Sequence, residues 1–177
     1  MTAEFFFSDC IAQLEKALKI TQTTNVTFLE LGCGVGLNPV IAKKYGLRSF
    51  YGVDINMKLI EEAKRNLALV LERGLLPNDN PPVYMWGNFF TKEQLEIIHN
   101  EVKDTPYQHL ILDNPYHDSD AYEQLGIRFD SIDIFYMYPY YRMDFGFSYF
   151  LRFFREQAKK NAIFLLRDGR IEIKSAQ

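Results

Sequence analysis

The chain has 177 residues, of which 47% are hydrophobic and 24% are charged, and this composition is typical of one globular domain. No apolar run approaches the roughly eighteen residues that a membrane span needs, and acidic residues stand at the N-terminus where a signal peptide carries positive charge. We therefore expect a single cytoplasmic domain over residues 1–177 with no membrane partner, and the net charge of −3 argues against a nucleic-acid partner.

The first two predicted elements are a helix and a buried strand. Residues 4–19 carry apolar side chains at helical spacing, which predicts an amphipathic helix that covers a sheet. Residues 26–31, VTFLEL, form a short and almost unbroken apolar run, typical of a strand buried on both faces of a parallel sheet.

Three alternating glycines follow this strand directly. Gly32, Gly34 and Gly36 lack a β-carbon, so the backbone of this turn can approach a ligand that bulkier residues would repel. Strand, glycine turn and helix together predict a nucleotide-binding unit.

The helix after the glycine turn is predicted over roughly 38–45. Asn38 is placed to cap this helix, Pro39 suits its first position, and Gly46 stands where a left-handed residue ends a helix.

A second strand, SFYGVD, ends in Asp54, eighteen residues after Gly36. A carboxylate at this position can accept hydrogen bonds from both hydroxyl groups of a ribose. The glycine pattern is G-x-G-x-G, because Leu37 occupies the third glycine position of the dinucleotide fingerprint G-x-G-x-x-G. The ligand is therefore expected to carry a ribose without being a dinucleotide.

Glu30 and the three glycines form an E-x-G-x-G-x-G sequence, which resembles the first motif of the Rossmann-like S-adenosylmethionine-dependent methyltransferases. Asp54 resembles their second motif. The resemblance extends over residues 27 to about 90. It implies S-adenosylmethionine as the cofactor, methyl transfer as the activity, and an α/β, three-layer sandwich fold. The expected sheet is mostly parallel, with six or seven strands and a C-terminal antiparallel hairpin.

The same resemblance implies roles for further residues. In the family the acidic residue at the Glu30 position lies near the methionine end of the cofactor. The residues that follow the second motif, here Ile55 and Asn56, flank the adenine. The third strand, PVYMWGNFF, is expected to end in Asn88, which matches the position that reads the adenine amino group, with Phe89 beside it.

Two more helices are predicted before the sequence pattern becomes ambiguous. Apolar residues at helical spacing indicate a helix from about 56 to 73, and Thr91 and Glu93 suit the start of another over 92–103.

Two stretches compete for the fourth strand, whose end carries the residues nearest the methyl group in this fold. The first, HLILDNPYHD, contains Asp113, Asn114, Pro115 and Tyr116, which resemble the D/N-P-P-Y motif of methyltransferases that act on the amino group of adenine, cytosine or glutamine. Asn114 departs from this motif, which has proline there.

The second candidate is DSIDIFYMYPYY, which has the stronger β-propensity and continues into Tyr138 and Pro139. It resembles the fourth motif of small bacterial methyltransferases with a Y-P-W-P signature. We favour 131–137 as the fourth strand, which makes about 108–128 an insertion or flap, 144–160 a helix and 162–167 the fifth strand. The rival count takes 109–113 instead.

The sequence gives several catalytic candidates without choosing among them: Tyr138, Pro139, Asp113, Asn114 and Tyr116. No strong general base stands out, and Asp133 reads as a strand-end residue. The three scattered histidines predict no metal site. Phe150, Phe153 and Phe154 follow helical spacing and read as core.

We expect transfer of a methyl group from S-adenosylmethionine to a small-molecule acceptor. One alternative is N-methylation of a protein amide or a nucleobase through residues 113–116. An alternative of another class is a non-catalytic cofactor-binding module that acts through a partner.

Overall fold

A computed structural model of the chain describes residues 3–105, 120–137, 144–166 and 170–174. Six strands form one sheet: β1 Thr27–Leu31, β2 Ser49–Asp54, β3 Val83–Trp86, β4 Ile134–Met137, β5 Ile163–Leu166 and β6 Ile171–Ile173. Their spatial order is β3-β2-β1-β4-β5-β6. All neighbouring pairs are parallel except β5 and β6, which are antiparallel. The predicted α/β fold class is therefore confirmed.

Six α-helices within the described residues surround the sheet: α1 Ala3–Thr21, α2 Leu37–Lys44, α3 Met57–Glu72, α4 Lys92–Val102, α5 Ala121–Leu125 and α6 Asp144–Gln157. None of the described helices is long and apolar enough to cross a membrane.

Neighbouring strand residues point to opposite faces of the sheet, and both faces carry apolar side chains. Helices therefore cover both faces. Phe28 packs with residues of α1 and α2, whereas Leu29 packs with residues of α4, α5 and α6. The second face is rich in phenylalanine, and Phe150, Phe153 and Phe154 of α6 are fully buried there, as the helical spacing predicts.

The pairing of β1 decides which stretch is the fourth strand. Phe28 pairs with Ile134 and Leu31 with Met137, while the other side of β1 pairs with β2 along its whole length. Both edges of β1 are thus occupied, so the prediction that 131–137 provides the fourth strand is confirmed. The rival pairing of β1 with 109–113 is wrong.

Two predicted boundaries are corrected by the structure. Gly36, rather than Asn38, is the N-cap of α2, which begins at Leu37, before Pro39. Strand β3 ends at Trp86, two residues before Asn88, which makes an isolated parallel bridge to Asp120.

Helix α4 begins after Thr91 with Glu93 in its first turn, as predicted, and a capping box pairs Thr91 with Gln94. The two side chains each bond the other residue's backbone N–H, which Glu93 cannot do from its position in the turn.

The predicted insertion over 108–128 is described from residue 120 onward. Within this part, Ala121 and Tyr122 of α5 are buried in the core beside α6, and the Tyr122 hydroxyl donates to the Phe89 carbonyl oxygen at 2.9 Å. This part of the segment therefore belongs to the packed domain.

Candidate functional site

The glycine turn after β1 has a backbone conformation that few residues other than glycine adopt. Gly32, Gly34 and Gly36 have φ values of 79°, 53° and 83°, all in the left-handed region that favours glycine. A β-carbon on Gly36 would lie 2.7 Å from the Ala63 β-carbon and 2.7 Å from Cζ of Tyr84. Gly36 is therefore required by both conformation and space.

Gly34, at the centre of the turn, differs from Gly36 because a β-carbon there would meet no atom of the described residues within 4 Å. Its N–H donates to Oδ2 of Asp54 at 3.0 Å. The Asp54 carboxylate thus fixes the turn through the Gly34 N–H. The position of a β-carbon on Gly34 is clear of described atoms, which leaves room for a ligand to approach the backbone.

Asp54 joins the glycine turn to the loop that follows β2. Its side chain is 7% exposed, Oδ2 accepts from Gly34, and Oδ1 accepts from the Asn56 N–H at 2.8 Å. A carboxylate has about four lone-pair positions. Two of them are used by these bonds, so each oxygen keeps one position for a hydroxyl group.

The residues expected to flank adenine are held by neighbouring groups. Oδ1 of Asn56 caps α3 by accepting from the Lys58 N–H at 3.1 Å. The Ile55 carbonyl oxygen accepts from the indole Nε1 of Trp86 at 3.0 Å. Trp86 could not be predicted from the sequence, because a bond between residues 31 positions apart leaves no local signal.

Asn88 and Phe89 lie just beyond β3 and are largely buried. Oδ1 of Asn88, whose residue is 8% exposed, accepts from the Phe90 N–H at 3.2 Å. Phe89 packs in the core, and its ring is 3.7 Å from the position of a β-carbon on Gly32. Phe89 therefore supports the turn from the side, while the adenine-reading role of Asn88 stays a prediction.

Gly52 and Tyr84 pack against the glycine turn, and neither residue was predicted to do so. A β-carbon on Gly52 would lie 2.8 Å from atoms of both Cys33 and Tyr84, and the Tyr84 hydroxyl donates to the Gly36 carbonyl oxygen. A glycine inside a strand often marks such a close approach. That signal was available in the sequence SFYGVD.

Glu30 is buried more deeply than Asp54, with 3% of it exposed. Its Oε1 accepts from Nδ2 of Asn38 at 2.6 Å, whereas Oε2 is buried with no hydrogen-bond partner among the described residues. Burial raises the pKa of Glu30 to about 8, the Asn38 bond lowers it, and the nearby Asp54 carboxylate raises it further.

This raised pKa predicts how stability depends on pH. The folded protein keeps the Glu30 proton between pH 4.5 and about 8, where the unfolded chain loses it. The free energy of unfolding should therefore fall as pH rises through this window, by up to about 1.4 kcal/mol per pH unit for this group. Urea unfolding from pH 5 to 8 should show wild type losing stability relative to Glu30→Gln, which mimics the protonated carboxyl. Parallel curves would contradict the assignment.

The catalytic candidates Tyr138, Pro139, Asp113, Asn114 and Tyr116 lie outside the described residues. Asp133 is described, and it lies just before β4, at the end of the strands opposite the glycine turn. Its Oδ2 accepts from the Thr27 N–H at 2.7 Å, and its other oxygen is paired with Lys159. Asp133 is thus a strand-end residue, as its sequence position suggests.

An open groove of about 780 Å³ lies between the starts of α4 and α5, and none of the predicted cofactor residues lines it. Two of its four carboxylates are already bonded: Asp120 accepts three backbone N–H groups, and Asp130 pairs with Arg128. We assign no ligand to this groove.

No family model matches the chain. A 57-residue region, 32% of this chain, is 35% identical to ribosomal protein L11 methyltransferase from Paraburkholderia phytofirmans and covers 18% of that protein.

Two solved structures resemble the fold over most of this chain. A candidate sarcosine dimethylglycine methyltransferase from Galdieria sulphuraria aligns with a TM-score of 0.53 and 14% identity, covering 90% of this chain and 45% of its own. A candidate S-adenosylmethionine-dependent methyltransferase from Methanococcus maripaludis aligns with a TM-score of 0.52 and 16% identity, covering 89% of this chain and 53% of its own.

The chain thus spans about half the length of these solved structures, and its match to the curated relative covers less than a fifth of that protein. The chain has the Rossmann-like fold of the S-adenosylmethionine-dependent methyltransferases.

Proposed function

We propose that this chain is an S-adenosylmethionine-dependent methyltransferase formed by a single domain over residues 1–177. The observation that carries the proposal is the open glycine turn held by Asp54. A β-carbon on Gly34 would project into free space, and the buried carboxylate beside it keeps lone pairs for a ribose. Oε2 of Glu30, which has no hydrogen-bond partner among the residues described by the structure, supplies a second polar contact near the same turn.

The proposed cofactor contacts follow from these positions. The backbone of Gly32, Gly34 and Gly36 faces the central part of the cofactor, Asp54 binds the ribose, and Glu30 lies at the methionine end. The proposed adenine pocket is formed by the four residues Ile55, Asn56, Asn88 and Phe89.

S-adenosylmethionine supplies a methyl group activated by its sulfonium. The protein's contribution to such an in-line displacement is mainly positioning, with proton removal needed only when the acceptor starts protonated. Met137 ends β4 beside Leu31, the last residue of β1, so the chain enters Tyr138 and Pro139 from the strand next to the glycine turn. We assign these two residues to the acceptor side, with Asp113, Asn114 and Tyr116 as further candidates.

We propose a small molecule as the acceptor, because the net charge of −3 disfavours a nucleic acid. A second candidate is a protein acceptor, which the partial similarity to a ribosomal protein L11 methyltransferase favours. Transfer of a labelled methyl group to a panel of small amines, small hydroxyl compounds and ribosomal proteins separates the two. Cofactor binding without transfer to any acceptor would favour the non-catalytic module.

Calorimetry tests the cofactor assignment directly. We expect S-adenosylmethionine and S-adenosylhomocysteine to bind with comparable affinity and NAD to bind much more weakly, because Leu37 replaces the third glycine of the dinucleotide fingerprint. Tight NAD binding, or the absence of binding by S-adenosylhomocysteine to the folded protein, would overturn the proposal.

A further inference from the structure

Glu30 and Asn38 form a bonded pair under the start of α2. The bond from Asn38 Nδ2 to Glu30 Oε1 is 2.6 Å long, and it connects the end of β1 with the first turn of α2. It leaves Oε2 with no hydrogen-bond partner in the part of the chain that the structure describes, on a side chain that is almost fully buried. A buried polar atom without a partner costs free energy unless a ligand or a proton satisfies it.

The groups that face Glu30 are neutral or acidic. Asn38 faces it from α2, Cys33 from the glycine turn, Asp54 from β2 and Tyr84 from β3. Tyr136 occupies the neighbouring register position in β4. No cation is among these groups, so an ionised Glu30 would be a buried charge beside a second carboxylate. The carboxyl is therefore neutral when no ligand is bound.

A cation placed against Oε2 makes the ionised form of the Glu30 carboxyl more stable than the neutral form. The proposed cofactor carries an ammonium group at its methionine end, and an ammonium within hydrogen-bond distance of a carboxylate stabilises the ionised form. The Glu30 O–H bond then breaks, the proton leaves to solvent, and the carboxylate pairs with the ammonium. No covalent bond forms.

Building on the proposed function, we infer that Asn38 is a positioning residue that holds Glu30 with one oxygen free for the cofactor's ammonium group, and that this pair releases one proton when the cofactor binds. Asn38 has this role because its amide can donate to Oε1 without supplying charge. A lysine or arginine there would ionise Glu30 before the cofactor arrived.

Calorimetry of the whole chain at pH 7, in phosphate and in Tris, measures the protons released on binding. We expect about one proton per S-adenosylhomocysteine bound, and an affinity that rises about tenfold per pH unit between pH 6 and 7. Methylthioadenosine, which lacks the amino acid group, should release none. Equal release by both ligands, or none by S-adenosylhomocysteine, would overturn the inference while leaving the proposed function standing.

Two variants and a control separate positioning from general support. Glu30→Gln should release no proton and bind S-adenosylhomocysteine at least about tenfold more weakly. Asn38→Ala should move the pH at which half a proton is released upward, because the Asn38 bond lowers the Glu30 pKa. Asn66→Ala removes another amide near the turn, which donates to the Val35 carbonyl oxygen at 3.2 Å, and should leave the proton count unchanged.

The outcomes are distinguishable. If Asn38→Ala weakens both ligands equally and leaves the pH dependence unmoved, Asn38 only supports the fold and the inference is wrong. If folded wild type binds neither ligand, the proposed function fails and the inference fails with it.

Discussion

Replacing Gly36 by alanine should destabilise the protein by about 2 to 5 kcal/mol, the sum of overpacking and a left-handed backbone. The added β-carbon would lie 2.7 Å from atoms of Ala63 and Tyr84. Tyr84 cannot move aside easily, because its hydroxyl is bonded to the carbonyl oxygen of Gly36 itself. Urea unfolding of the variant and wild type measures the difference.

Two other glycines provide matched controls for this substitution. Gly46 has a φ of 75° and Gly34 a φ of 53°, and a β-carbon at either would meet nothing within 4 Å. Alanine at these positions should lower the free energy of unfolding only because its backbone is left-handed, by about 1 to 2 kcal/mol. Gly34→Ala should in addition weaken S-adenosylhomocysteine binding, since its β-carbon enters the proposed cofactor space. Equal losses of stability at Gly36 and Gly46 would show that the contact with Tyr84 does not matter.

The sequence predicts the elements of this fold well where local patterns carry the information. The strand of residues 26–31 and the glycine turn appear together in one short segment, and helix periodicity locates most helices to within a few residues. The fourth strand is harder, because 109–113 and 131–137 are both apolar and lie in the same long stretch. Higher β-propensity favours the second, and only its pairing with β1 decides between them.

The role of Asn38 could not be predicted, because two physical effects compete there. Local rules place asparagine at a helix N-cap, yet Gly36 takes that position and frees the Asn38 amide to bond Glu30. The bond from Trp86 to Ile55 and the bond from Tyr84 to Gly36 likewise join residues 31 and 48 positions apart. Contacts of this range depend on strand order, which the sequence pattern does not specify.

Replacing Asp54 by alanine should weaken S-adenosylhomocysteine binding by about 10² to 10⁴ fold. Two charge-assisted hydrogen bonds to the ribose, at about 1.5 to 3 kcal/mol each, would be lost. The substitution also removes the acceptor for the Gly34 and Asn56 N–H groups, so the turn and the loop after β2 lose their common support. Calorimetry measures the dissociation constant, and urea unfolding establishes that the variant remains folded.

Asp133→Ala is the matched control for this experiment. Asp133 is also a carboxylate that accepts a backbone N–H, from Thr27 at 2.7 Å, but it lies at the start of β1 and β4, at the end of these strands opposite the glycine turn. The substitution removes a hydrogen bond to a backbone N–H, as Asp54→Ala does, so it should lower the free energy of unfolding. It should leave the affinity for the cofactor unchanged. If the Asp133 and Asp54 variants, both folded, bound S-adenosylhomocysteine equally well, Asp54 would only brace the turn. The ribose would then have to be bound by other groups of the chain.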